Sequence, residues 1–209
     1  MNLAIIGVGS VGAALGERLT TAGYDVTFGV RAGKNIAPIL ERCHGRARGT
    51  STAEACQSAD VIFLAVPAEV AVEALAGAPL DGKIVVDCNN PVTWDDGPVW
   101  APPAEGSVTA ALAAAYPAAR VLKGFATFGA EFHRNPDLEG SPVQVHLAGD
   151  DAEAKETVAE ISRQAGFEPL DCGLLRNAAA LENLAVLWIH LALQGPLGRD
   201  FVFQAIRRD

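Results

Sequence analysis

Asn2-Leu3-Ala4-Ile5-Ile6-Gly7-Val8-Gly9-Ser10-Val11-Gly12-Ala13-Ala14-Leu15-Gly16 carries an apolar strand straight into G-x-G-x-x-G and from there into a helix. That order predicts a dinucleotide-binding βα turn. Gly7 permits the tight turn, Gly9 lets backbone N–H groups approach a pyrophosphate, and Gly12 lets the helix pack against the strand. Gly7, Val8, Gly9, Ser10, Val11 and Gly12 are therefore candidate cofactor-binding residues, at the positive end of a helix predicted over Val11 to Ala22. Gly23 stops that helix, and a second strand is expected from Tyr24 to Val30.

Farther along, the chain keeps alternating strands with helices. A polar stretch from Gly33 to Thr52 holds a short helix around Ile36 to Arg42 and a short strand near Ala47. Ser51-Thr52-Ala53-Glu54 reads as a capping box, and Val61 to Val66 as a buried strand ended by Pro67. A helix is expected over Glu69 to Ala76 and a strand over Lys83 to Asp87. Asn89 to Gly106 reads as a long loop whose two tryptophans suit a lid or a subunit contact. Ser107 caps a helix to Tyr116, Arg120 to Thr127 is the next strand, and strand Val143 to Leu147, helix Asp151 to Ala165, strand Phe167 to Asp171 and helix Asn177 to Gln194 complete the chain. The fold class is α/β, a Rossmann-type doubly wound, mainly parallel sheet with a small C-terminal α/β extension. We expect a dinucleotide-binding domain over 1–128 and a smaller substrate and oligomerisation region over 129–209.

Composition narrows the possible partners. With 209 residues, half of them hydrophobic, the chain can bury a sizeable core. A net charge of −9 with scattered Lys and Arg gives no clustered positive field, so neither nucleic acid nor an anionic membrane surface is expected as a partner. Cys43, Cys56, Cys88 and Cys172 are far apart and form no C-x-x-C, which predicts reduced structural thiols and a reducing, cytoplasmic setting. The longest apolar segment, Ala178 to Leu193, is interrupted by Glu182, Asn183 and His190, so neither a membrane span nor a signal peptide is read.

The end of the second strand decides which dinucleotide is expected. A fold selective for NAD places Asp or Glu there, whereas this chain reads Thr27-Phe28-Gly29-Val30-Arg31-Ala32-Gly33-Lys34. Arg31 and Lys34 are candidates for the 2′-phosphate of NADP, Arg by a forked contact and Lys as a point charge. The residues show no Ser/His/Asp constellation, no metal-ligand spacing and no general acid, so no catalytic side chain and no metal ligand is assigned. Only His133 follows a strand end closely enough to lie near a second substrate. Asp87 is read as a turn cap or a polar site residue, Trp188 as core or subunit interface. Lys123 is read as lying at the wrong end of its strand to serve as an acid.

Taken in order, Gly7 to Gly12, Gly29-Val30-Arg31, Leu64-Ala65-Val66-Pro67, Asp87-Cys88-Asn89-Asn90-Pro91, Lys123 to Gly129, Ala148 to Asp151 and Asp171 to Asn177 followed by Glu182 resemble the coenzyme F420-dependent NADP oxidoreductases. They are similar also to the cytosolic reductase domains of the STEAP metalloreductases. The resemblance implies that Ala65, Val66, Pro67, Asn90 and Pro91 lie beside the ribose and nicotinamide. It further implies that Ala126, Thr127 and Phe128 line a pocket where a deazaflavin or flavin ring stacks as second substrate. Hydride would then pass directly between the two rings, with the protein positioning them and excluding water. The chain departs from the family pattern at Val30, which removes one hydrogen bond to the 2′-phosphate, and at Ala126 and Ala179, which remove polar side chains where a substrate would sit and leave open a non-catalytic NADP-binding sensor. A second alternative is a small carbonyl or imine reductase of the hydroxyacid-dehydrogenase kind, whose enzymes share the early motifs. The apolar final helix and Phe201-Val202-Phe203 predict a homodimer.

Overall fold

Leu3 and Ile5 point to one face of the first strand, Ala4 and Ile6 to the other, and all four are buried. A strand apolar on both faces needs cover on both, which is the condition for a sheet with helices above and below. The computed structural model, which describes residues 1–208, has that arrangement. The first half contains β1 (Leu3–Ile6), α1 (Ser10–Thr21), β2 (Val26–Gly29), α2 (Ala37–Glu41), β3 (Ala47–Thr50), α3 (Thr52–Ser58), β4 (Val61–Leu64) and β5 (Ile84–Asp87). Next come β6 (Val92–Trp94), β7 (Pro98–Trp100), α4 (Val108–Ala115), β8 (Arg120–Lys123) and α5 (Ala130–Arg134). The chain continues through β9 (Asp137–Leu138), β10 (Ser141–Pro142), β11 (Gln144–Leu147), α6 (Ala152–Gln164), β12 (Glu168–Asp171) and α7 (Ala178–Leu193).

Six strands form one sheet in the order β3-β2-β1-β4-β5-β8, every pair parallel. This is the doubly wound topology, with the strand order reversing beside β1. One core lies between the sheet and α1, α5 and α6, through Leu15, Leu19, Phe132, Val158 and Ile161. The other lies between the sheet and α3 and α4, through Ala55, Cys56, Val108 and Leu112. β11 and β12 pair parallel around α6, and Lys123 bridges to Ala148, which fastens this extension to the free edge of β8.

Several segments differ from the sequence reading. Glu69 to Ala76 is not a helix but two short 3₁₀ turns, Ala68–Val70 and Glu73–Leu75. The Val72 carbonyl accepts from Tyr116 Oη (2.6 Å) and from Leu75 N, so its i+4 helical bond is never made. Asn89 to Gly106 is not open loop: β6 and β7 form a hairpin across Asp95-Asp96-Gly97, with Asp96 and Gly97 at positive φ. The strand expected over Arg120 to Thr127 ends at Lys123, because Phe125 adopts φ +55° and turns the chain away. The short helix α5 and the hairpin β9–β10 had no signal in the hydrophobic pattern, each being too short to show a period.

Candidate cofactor cleft

The carboxyl ends of β1, β2, β4 and β5 open into one cleft of about 960 Å³. Gly7, at φ +106°, starts it, and a Cβ there would meet the Ala65 carbonyl oxygen at 2.1 Å. A Cβ on Gly12 would lie 2.1 Å from the Gly7 carbonyl oxygen, so Gly12 lets α1 approach the turn. At Gly9 a Cβ would meet no protein atom within 4 Å: it would project into the cleft. Gly9 is also the N-cap of α1 and supplies no capping side chain, and the first turn carries no acid. The N–H groups at that helix end are left for an anion.

Arg31 and Lys34 line one end of the cleft, exposed and without an ion pair among the described residues. Ala65, Val66, Pro67, Cys88, Asn89 and Asn90 line the other. Asn90 Nδ2 donates to the Ala126 carbonyl (2.7 Å), which fixes the amide's orientation and leaves Oδ1 as a buried acceptor with no partner. Uncapped helix, free cations, an open Gly9 and an orphaned acceptor are the features a phosphorylated dinucleotide needs, so the residues fit NADP. Burial pushes the Cys88 thiol up, and the carbonyls, amides and methyl groups beside it supply no general acid.

Of the sequence-predicted positions, Gly7, Val8, Gly9, Ser10, Val11, Arg31, Lys34, Ala65, Val66, Pro67 and Asn90 line this cleft. Gly12 sits beneath it. Pro91, Ala126, Thr127 and Phe128 do not face it, contrary to the expectation: all four are buried. The Pro91 carbonyl accepts from Ala101 N at the base of the hairpin, Thr127 Oγ1 bonds His146 Nδ1 (2.9 Å), and Phe128 packs on His133 and Phe167. His133 is fully buried too, its ring nitrogens 3.0 Å from the Gly129 carbonyl and 2.9 Å from the Phe125 carbonyl, so it clamps this segment instead of facing a substrate. Trp188 is core, stacked on Phe201 and donating to the Phe201 carbonyl (2.8 Å).

Lys123 also needs correction. It is the last residue of β8, hence at the site end of the sheet, but its ammonium is buried and fully engaged with Asp87, Asn89 and Glu182. Asp87 does cap the following turn, accepting from Asn89 N (3.0 Å). Asn89 in turn accepts from Val66 N through Oδ1 (2.9 Å), so this group holds the cleft wall in place. Burial, with the neighbouring Asp87 charge adding to it, pushes the Glu182 carboxyl up, and Lys123, Trp100 and the Val108 N–H offset only part of that rise. The sequence reading missed this cluster and the cleft residues Thr52 and Glu73. A charged residue closing each of two adjacent apolar strands, and one inside an apolar helix, was the available signal.

A family model described as NADP oxidoreductase coenzyme F420-dependent matches residues 2–91. The F420-dependent NADP reductase of Methanothermobacter thermautotrophicus is 31% identical over 93% of this chain and 90% of its own. The metalloreductase STEAP3 of Rattus norvegicus is 35% identical over 88% of this chain but only 36% of its own, so this chain spans about a third of that relative. A crystal structure from Arthrobacter sp. FB24, described as a candidate F420-dependent NADP-reductase, superposes with a TM-score of 0.85 at 27% identity, covering 98% of this chain and 99% of that one. On this evidence the chain belongs to the coenzyme F420-dependent NADP oxidoreductases, a family of NADP-dependent enzymes.

Proposed function

We propose that this protein transfers hydride directly between NADP(H) and a small redox partner, coenzyme F420 or a flavin. The observation that carries the reading is the single cleft that joins the free cations Arg31 and Lys34, the uncapped end of α1 and the apolar Ala65–Pro67 wall facing Asn89 and Asn90. Arg31 and Lys34 would hold the 2′-phosphate, and Gly9 and Ser10 the pyrophosphate. Asn90 would offer Oδ1 to a donor of the nicotinamide half. When bound, the nicotinamide supplies or accepts the hydride.

The chain's own part is to orient and to exclude water. Apart from the Cys88 thiol, which burial keeps protonated, the wall at the redox end has no acid or base. That suits a step between two rings, whose reduced product holds the hydride as a delocalised anion and takes its proton from water, and disfavours carbonyl or imine reduction, where the proton must be supplied as the hydride arrives. Absorbance of NADPH followed with F420, FMN, FAD and no acceptor in parallel tests the proposal. We expect loss with F420 or a flavin. Tight NADP binding without turnover on any acceptor would favour a sensor instead.

The same reading takes the protein as a cytoplasmic homodimer. Leu187, Leu193 and Leu197 present exposed apolar surface on and beyond α7, and the four cysteines are unpaired, as a reducing compartment requires. Sedimentation velocity should give about twice 21.7 kDa, and a monomer would overturn the dimer.

A further inference from the structure

Behind the Cys88–Asn90 wall lies a charge cluster that the reaction proposed above does not use. Asp87, Lys123 and Glu182 are each fully buried. Asp87 accepts from Asn89 N (3.0 Å), Asn89 Nδ2 (2.9 Å), Thr109 Oγ1 (2.7 Å) and Lys123 Nζ (3.1 Å). Glu182 accepts from Val108 N (2.9 Å), Trp100 Nε1 (2.9 Å) and Lys123 Nζ (3.5 Å). A protonated carboxyl would need an acceptor for its O–H, yet the partners of Glu182 are all N–H donors. On Asp87 both oxygens are filled, Oδ1 by the two Asn89 donors and Oδ2 by Thr109 and the Lys123 ammonium. The cluster thus sets two carboxylates against one ammonium, an excess of one negative charge buried away from water.

Its place relative to the cleft follows from the other contacts. Arg31 and Lys34 mark the phosphorylated adenosine end and Gly9 the pyrophosphate, so the Cys88–Asn90 wall faces the nicotinamide end. Asn89 belongs to that wall and is bonded to Asp87 through both its backbone N–H and its side chain. In the oxidised cofactor the nicotinamide ring is positively charged; in the reduced one it is neutral. We propose that the buried excess charge of Asp87, Lys123 and Glu182 biases the cleft toward NADP⁺ over NADPH. Bound NADPH is thereby made a stronger hydride donor. The inference rests on the cleft's holding NADP(H).

The test is a pair of binding titrations, NADP⁺ and NADPH, on the unmodified protein and on folded Glu182→Gln and Asp87→Asn. Each variant removes one negative charge. At an effective dielectric of about 20 to 40, and taking about 10 Å between the charge and the ring, that should raise the ratio Kd(NADP⁺)/Kd(NADPH) about four- to sixteenfold, through NADP⁺ alone. A purely structural role would weaken both forms together, and that result, or an unmoved ratio in either folded variant, overturns the proposal. The unmodified protein is expected to bind NADP⁺ more tightly than NADPH. The reverse order overturns the proposal without any variant, whereas failure of the unmodified protein to bind either form would refute the cofactor reading itself.

Discussion

Arg31 and Lys34 stand exposed at the carboxyl end of β2 without an acidic partner among the described residues, so their charge is available to a ligand. A charge-assisted hydrogen bond to phosphate contributes about 1.5–3 kcal/mol. Arg31→Ala should therefore weaken NADPH binding about 10- to 100-fold while leaving the weaker binding of NADH nearly unchanged. Lys34→Ala should have a smaller effect of the same kind, because a point charge lacks the fork. Equal losses for both dinucleotides, measured by titration, would remove the two residues from 2′-phosphate recognition. Gly7 answers to backbone geometry instead. Gly7→Ala forces a side chain into φ +106° and against the Ala65 carbonyl, so we expect a loss of at least about 1–3 kcal/mol in urea unfolding, with cofactor binding impaired even where the variant folds. Unchanged stability in that variant would mean the turn relaxes freely.

At the scale of elements, α6 shows how a helix start can be tested. Asp151 is its N-cap, accepting from Ala154 N (2.9 Å), and it also takes a two-pronged contact from Arg120 on β8. The Arg120 guanidinium holds the Asp151 carboxyl below the usual carboxylate range. A carboxyl depressed in the folded state stabilises above its unfolded pKa of about 3.9 and loses that contribution as pH falls through the folded value. Asp151→Ala should cost about 1 kcal/mol at pH 7. The gap between variant and parent should be constant above about pH 5 and close below about pH 4. A gap that stays constant into acid would show that the cap acts without its charge.

Elements also differ in how readable they are. β1, β4 and β5 stand out in the sequence because both faces are buried, giving continuous apolar runs, and α3 because Ser51 and Glu54 satisfy each other's backbone donors. Val72 and Phe125 do not. The first gives its carbonyl to Tyr116, 44 residues away, and the second is held at positive φ by a contact from His133. Such long-range partners leave no local period. The glycine turn and the two cations were legible because each occupies a position fixed by the strand before it. Pro91 and Ala126 to Phe128 were misplaced because burial by His133, His146 and the hairpin is decided in three dimensions.

In the whole molecule, Lys123 joins parts that sequence keeps far apart. Its ammonium meets Asp87 at the end of β5 and Glu182 on α7, while Glu182 accepts from Trp100 on the hairpin and from the first residue of α4. Sheet edge, hairpin and final helix thus share one polar group, and its three charged members, Asp87, Lys123 and Glu182, are closed off from water that could replace a lost partner. Replacing an ion pair by apolar groups can be neutral, but removing one member leaves the other charges stranded in the interior at about 3–5 kcal/mol. Lys123→Met leaves two carboxylates facing each other with no cation. We expect it to lose about that much stability in urea unfolding, and to lose it at the hairpin, α4 and α7 together, read as faster amide exchange in all three relative to β1 and β2. Loss confined to α7 would show that the hairpin stands without the cluster. Full stability would mean that a carboxyl takes up a proton in the variant and the charge is not needed to hold the three elements, so the two measurements together separate a shared keystone from a local contact.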